Sequence, residues 1–394
     1  MQSNNSPAAP QAQAPAPDAP TESTDSGVNH QSLLPQFDQD RPQSSRLVWI
    51  FMGSRGLRAG WSVFIFYVFY QALTPILGTI ALAIDPELAK LSFSPGVAFI
   101  LELVPFLAIL ASVGIVALVE KRKILDYNLS GPRPAVHFIT GLVVGFAALS
   151  ALIEVLKLGG WLHFGPVGLS GGSILKAGAL WALTFLTVGL VEEGSFRCFL
   201  QFTFTRGLNF WWALAVVGGA CLDLVLNGKG NGIYGVYVVA GLGVVPCLLL
   251  ELRKTSGSSF WQAAWVTSTL FGFLHTGNNG ENWIGIFAAS LIGFVFCVSV
   301  WATGSAWWAI GCHAAWDWAE TYFYGAADSG NVAVGHYFTT TPSGPVLWSG
   351  GTDGPEGSLL VIPVVVLLLL IVLVLYGRGR RAAQPVPVAE PAAG

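Results

Sequence analysis

The chain has 394 residues, of which 53% are hydrophobic and only 10% are charged. A soluble protein of this size carries roughly 25% charged residues, so the composition excludes an ordinary soluble domain and points to a polytopic membrane protein. The net charge of −3 provides no basic field, which excludes nucleic acid as a partner.

Residues 1–45 are polar and rich in Pro, Ala, Gln and Ser. They cannot bury enough apolar surface to offset the entropy of ordering, and read as a disordered tail. No apolar core follows a basic start there, so no signal peptide is expected. Apolar runs follow at 61–84, 96–119, 135–157, 177–200, 211–226, 232–250, 260–275, 283–302, 306–323 and 358–376. Most are long enough to cross ~30 Å of hydrocarbon as helices. The fold class expected is therefore all-α, a polytopic transmembrane helical bundle of about ten helices (eight to ten) over 46–325, closed by a C-terminal helix at 358–376. The short 211–226 run is expected either to be half-buried or to pair with the next as a hairpin. Residues 326–357 form a long extracytoplasmic loop rich in Gly, Ser, Thr and Pro, with His336, Trp348 and Glu356 in it. Its aromatic residues suggest that it folds over the outer surface. Residues 377–394 read as a second disordered tail.

Charge placement orients the bundle. With the N-terminus inside, fourteen of the nineteen basic residues fall on the inner side and four on the outer, Arg197 being within a helix. This asymmetry follows the positive-inside rule and favours an even number of crossings, with both termini cytoplasmic in a plasma (inner) membrane. Gly141 and Gly145 form a small-xxx-small pair suited to close helix packing. The five cysteines, all in apolar stretches, have no zinc or disulfide spacing and read as small buried hydrophobes.

Three apolar runs contain ionisable residues. In the fourth, Glu193 and Arg197 are spaced i, i+4 and can pair on one face, while Glu192 points about 100° away. The pair is either a structural knot that fixes helix packing, or the local neutralisation that leaves Glu192 free to take a proton from water as a general base. The seventh run ends in Phe271-Gly272-Phe273-Leu274-His275, followed by a Gly/Asn turn. The ninth carries His313 and Asp317 at i, i+4, with Glu320 close to the same face and Trp307, Trp308, Trp316 and Trp318 around them. Ionisable groups inside a membrane normally face the bundle interior or a wet cavity. Two Glu, two His and one Asp could converge on a water, activated by a carboxylate or by a metal held by His and Glu. No HExxH is present.

These residues resemble the CPBP intramembrane protease family, which includes the CAAX prenyl endopeptidases and bacterial Abi proteins. Its pattern of EExxxR, FxxxH and Hxxx(N/D) on successive core helices is matched in order by Glu192-Glu193 to Arg197, Phe271 to His275, and His313 to Asp317. The resemblance covers about 120–325, starting at the Lys123 to Gly131 lead-in to the third helix. It implies hydrolysis of a peptide bond in or next to the bilayer, in a peptide or membrane-protein substrate. Glu192 with His275 would activate the water, Glu193 and Arg197 would hold the helix, and His313 and Asp317 would stabilise the oxyanion or orient the site. A divalent metal such as zinc would be held by Glu192, His275 and His313; the alternative is an activated water with no metal. One departure is the hairpin at 211–250, inserted where family members pass almost directly to the FxxxH helix. Another is depth: run lengths place Glu192 and His313 toward the inner third of the bilayer and His275 nearer the outer face. Two other functions fit the membrane setting. An ion- or proton-coupled transporter would use the same residue types, although no internal repeat is visible. A non-catalytic scaffold or immunity protein would have no need of three intact motifs.

Overall fold

The computed structural model describes residues 50–382, apart from 54–55, 91–92, 228–231 and 255–256. The N-terminal tail expected at 1–45 and all but the first residues of the expected C-terminal tail lie outside these. Ten long helices coincide with the ten apolar runs: α1 (Ala59–Ile84), α2 (Pro95–Glu120), α3 (Pro134–Leu158), α4 (Gly172–Gly207), α5 (Phe210–Asn227), α6 (Ile233–Arg253), α7 (Ser258–His275), α8 (Trp283–Thr303), α9 (Trp307–Asp317) and α10 (Val361–Ala382). Seven of them, α1 to α6 and α8, are long and apolar enough to cross a membrane. The seventh run falls short of that hydropathy because α7 buries Gln262, Thr267, Ser268 and Thr269. Large side chains such as Phe64, Tyr67, Ile76 and Leu118 point outward with half or more of their surface uncovered. A hydrocarbon solvent makes this stable, since backbone groups are satisfied within each helix.

Local sequence sets the helix ends. Pro95 and Pro134 stand in the first turns of α2 and α3, where a missing N–H costs nothing. The Asn282 side chain accepts from the Ile284 and Gly285 amides at 2.8 and 3.4 Å to cap α8, as an N-cap should. Gly304 ends that helix with φ of 82°. On the side read as cytoplasmic, Glu120 Oε2 accepts from Arg206 Nη1 at 2.7 Å and Tyr127 OH at 3.1 Å, and Ser62 donates to Oε1 at 2.5 Å. That knot ties α1, α2 and the end of α4 together.

The bundle is tightest where α3 crosses α9. A Cβ on Gly141 would stand 2.3 Å from the Trp308 carbonyl oxygen, and one on Gly145 would stand 2.2 Å from that of Cys312. Gly311 on α9 answers them, 2.3 Å from the Phe138 carbonyl by the same measure. The small-residue pair expected from the sequence is thus a seam of backbone contact. Among the described residues all five cysteines are free, and four are buried.

The 326–357 segment does more than lie across a surface. Two short antiparallel strands, β1 (Met52–Gly53) and β2 (Gly56–Leu57), precede α1. A third, β3 (Leu162–Phe164), leaves α3 and pairs with β4 (Thr340–Pro342) of the loop. Trp161 stacks on Trp348 with ring centres 5.3 Å apart. The amides of Tyr337 and Val334 donate to the carbonyls of Tyr322 and Phe93. The loop is therefore stitched to α9, α3 and the start of α2, and it sends Asp328, Asp353 and Glu356 inward.

Candidate active site

All three motifs line or support one centre. On α4, regular helix gives way to a π-helical segment, Gly194–Leu200, immediately after Glu193. Past the end of α9 a second π segment, Trp318–Phe323, begins immediately after Asp317. Single π turns recur at functional sites because they re-aim side chains and release carbonyls from the helical ladder. Here the Arg197 carbonyl accepts from Asn128 Nδ2 at 2.7 Å. Asn128 lies in the 123–131 lead-in, with φ of 55°. Neither π segment has a signature in the sequence that periodicity would reveal.

Glu193 and Arg197 pair as expected. Arg197 Nε lies 3.2 Å from Glu193 Oε2 and Nη1 donates to Oε1 at 3.3 Å, with both side chains fully buried. The guanidinium is sandwiched by rings: its carbon lies 4.3 Å from the Phe271 centre and 5.4 Å from that of Phe296. Phe271, the first residue of the second motif, thus supports the cation of the first. Gly293 on α8 makes the room, since a Cβ there would stand 2.5 Å from Arg197 Nη2.

Glu193 reaches further than a support for its own helix. Its Oε1 accepts from His313 Nδ1 of α9 at 2.8 Å. This fixes the imidazole and directs Nε2 toward Glu192 Oε2 at 3.6 Å and Asp317 Oδ2 at 3.4 Å. A carboxylate on one ring nitrogen sets the tautomer and orientation of the other. The order is therefore Arg197, Glu193, His313, then the two remaining carboxylates. Glu192 is a third exposed at its side chain, against none for Glu193, so the two neighbours divide as their helical positions require.

His275 closes the set from α7. Its Nδ1 hydrogen-bonds to the Phe271 carbonyl at 2.8 Å. A carbonyl only accepts, so Nδ1 carries the hydrogen and Nε2 is the acceptor of the neutral ring. Glu192, His275, His313 and Asp317 line one cavity of about 280 Å³. The difference in depth suggested by run lengths does not keep these side chains apart, since all of them reach this one cavity. Among the described residues no three or more His, Cys, Asp or Glu stand in reach of one metal ion. As placed, then, Glu192, His275 and His313 do not form a ligand set.

The structure adds residues that the motifs did not single out. Asp328, Ser329 and Asn331 of the loop line the same cavity, as do Asn278 past the end of α7 and Glu102 of α2. Thr321 donates to Asp328 at 2.7 Å. Trp316 Nε1 is shared between Glu320 Oε2 at 3.0 Å and Glu356 Oε1 at 2.9 Å, so Glu320 joins the loop's carboxylates rather than His313. The Glu102 and Asp328 carboxylates stand singly in their stretches, with no i, i+4 partner to flag them.

Residues 242–319 match the family model described as type II CAAX prenyl endopeptidase Rce1-like. The matched stretch contains Phe271 to His275 and His313 to Asp317; the Glu192–Arg197 motif precedes it. No curated protein and no solved structure matches the chain. Over residues 242–319 the match bears out the CPBP resemblance read from the motifs and supports a CAAX-type intramembrane protease family. With the seven apolar helices, it identifies an integral membrane protein.

Proposed function

We propose that the protein is an intramembrane endopeptidase that hydrolyses a peptide bond of a membrane-associated or CAAX-type protein through a water activated by Glu192 and His275. The supporting observation is the meeting of Glu192, His275, His313 and Asp317 on one cavity wall, with Glu193 bridging Arg197 and His313. The water gives its proton to the Glu192 carboxylate as its oxygen attacks the scissile carbonyl. His275 Nε2 accepts a hydrogen bond from that water and orients it. The oxyanion forms against the Nε2 side of His313, whose positive form is stabilised by Glu193 and Asp317; one buried donor to an oxyanion is worth ~2.7–4 kcal/mol. Glu192 then returns the proton to the departing amine, and the C–N bond breaks. Arg197 pairs with Glu193 and holds it in place. The charge asymmetry of the chain supports an orientation with both termini cytoplasmic, and we assign the protein to the plasma (inner) membrane.

The test is cleavage of a membrane substrate in proteoliposomes. Glu192→Gln lowers the rate by about 10²–10⁴-fold, the usual worth of a positioned general base; unchanged cleavage defeats the assignment. Chelators leave the wild-type rate unaltered. Loss of activity on chelation, restored by zinc, would instead give the role of activator to a metal. A second reading, a proton- or ion-coupled transporter, draws on the carboxylates along the cavity. Proton-coupled flux without any peptidase activity would favour it.

A further inference from the structure

The cavity runs beyond the histidines, between α2, α4 and the end of α7. Five carboxylates line it, Glu102, Glu192, Asp317, Asp328 and Glu356, and no Lys or Arg among the described residues does. Arg197, the arginine on the same helix as Glu192, is engaged by Glu193. Glu102 lies mid-helix on α2 and is half-buried. Its carboxylate makes no hydrogen bond or ion pair among the described residues, and the charges that face it, Glu192 and Asp328, are both acidic. Behind the lining, Glu320 is wholly buried and Asp353 is 1% exposed. Each keeps one carboxylate oxygen, Oε1 and Oδ2 respectively, without a hydrogen-bond partner.

A carboxylate withdrawn from water is stable only when paired. His313 is the one imidazolium on this wall and is taken up by Glu192, Glu193 and Asp317; the remaining excess of carboxylates is complementary to a cation that arrives with the ligand. An inorganic ion fits poorly, because no three of these groups reach a common point. Part of the lining is apolar, formed by Phe93, Ala98, Phe185, Val188 and Leu274. A long side chain with methylenes along its stem and a charge at its tip satisfies both surfaces, and the two aromatic rings add cation–π attraction.

We propose that the substrate carries a Lys or Arg side chain within a few residues of the scissile bond, and that Glu102 is the specificity-determining residue that receives it. The proposal rests on the proteolytic reading above and names its substrate class.

New protein N-termini are mapped in membranes from cells making the wild-type chain or Glu192→Gln, and the sites cut only by the wild type are aligned. Lys or Arg is expected at one fixed position near the bond. A segment spanning such a site is then assayed in proteoliposomes beside a copy with norleucine in place of the basic residue. The wild type prefers the basic segment by at least about tenfold in kcat/KM, the scale of a desolvated charge pair. Glu102→Gln brings that ratio to near one through KM on the basic segment, Glu102→Asp keeps it, and Glu102→Lys transfers the preference to a segment bearing Glu there. Sites with no basic preference, or a preference untouched by Glu102→Gln, overturn the inference and leave proteolysis standing. Absence of any Glu192-dependent site overturns the proteolytic reading, and the inference with it.

Discussion

Arg197 shows how one side chain serves three helices. It is fully buried, pairs with Glu193 on its own helix, and lies between Phe271 of α7 and Phe296 of α8. Removing the cation leaves the buried Glu193 with His313 as its remaining partner; breaking a buried pair of this kind costs up to about 3–5 kcal/mol. Arg197→Met is therefore expected to lower the melting temperature of the purified protein and to abolish activity. An unchanged melting curve would mean that the pair adds nothing to stability. The i, i+4 spacing was enough to anticipate this pair. It could not reveal that Glu193 also accepts from His313, because that contact joins residues 120 positions apart. The role of Glu193 is therefore larger than holding its helix: it orients the imidazole that faces the cavity.

At the scale of the element, the α3–α9 seam positions His313. The Gly145 contact is with the Cys312 backbone, one residue before the histidine, so added bulk cannot be absorbed by a side-chain rotation. Gly145→Val is expected to destabilise by at least the 1–3 kcal/mol typical of overpacking, and to reduce activity in the fraction that folds. Thermal unfolding and the activity of the folded fraction report the two effects separately. The loop element answers to pH. Burial, with the neighbouring charges of Asp353 and Glu356, raises the Glu281 carboxyl above its ordinary 4.5. Burial and Asp328 raise Asp353 above 3.8, and Asp328 and Glu356 shift the same way, chiefly through burial. The folded state therefore holds protons that the unfolded chain releases. The stability these groups contribute is complete below the ordinary carboxylate range and is lost as pH rises through the raised values. Limited proteolysis of the loop at pH 5, 7 and 9 should proceed fastest at pH 9. Fastest cleavage at pH 5 would reverse the sign and require ionised, paired carboxylates.

For the whole molecule, the proposed orientation makes a prediction of its own. In that orientation fourteen basic residues lie on the inner side against four on the outer, and the 326–357 loop is outside. A cysteine introduced at Ser343, in the loop beside β4, should react with a membrane-impermeant thiol reagent on intact cells. One placed at Lys123 should react only after the membrane is opened. The reverse pattern would invert the bundle and move the cavity's loop side to the cytoplasm.

The amino-acid sequence by itself determined the helices and the motifs. Apolar runs of membrane length have one stable solution in hydrocarbon, so the helical class and the ten helix positions could be read directly. Residues three or four apart share a helix face, so the Glu193–Arg197 pairing and the nearness of His313 to Asp317 were legible too. Tertiary structure alone decided which carboxylates share the cavity. Asp328 and Glu356 arrive from a loop whose path is set by its pairing with β3, and Glu102 arrives from a helix outside the three motifs. The π segments after Glu193 and Asp317 belong to the same class, since a change in helical winding leaves no trace in periodicity. Such contacts join residues far apart in the chain, and packing selects them.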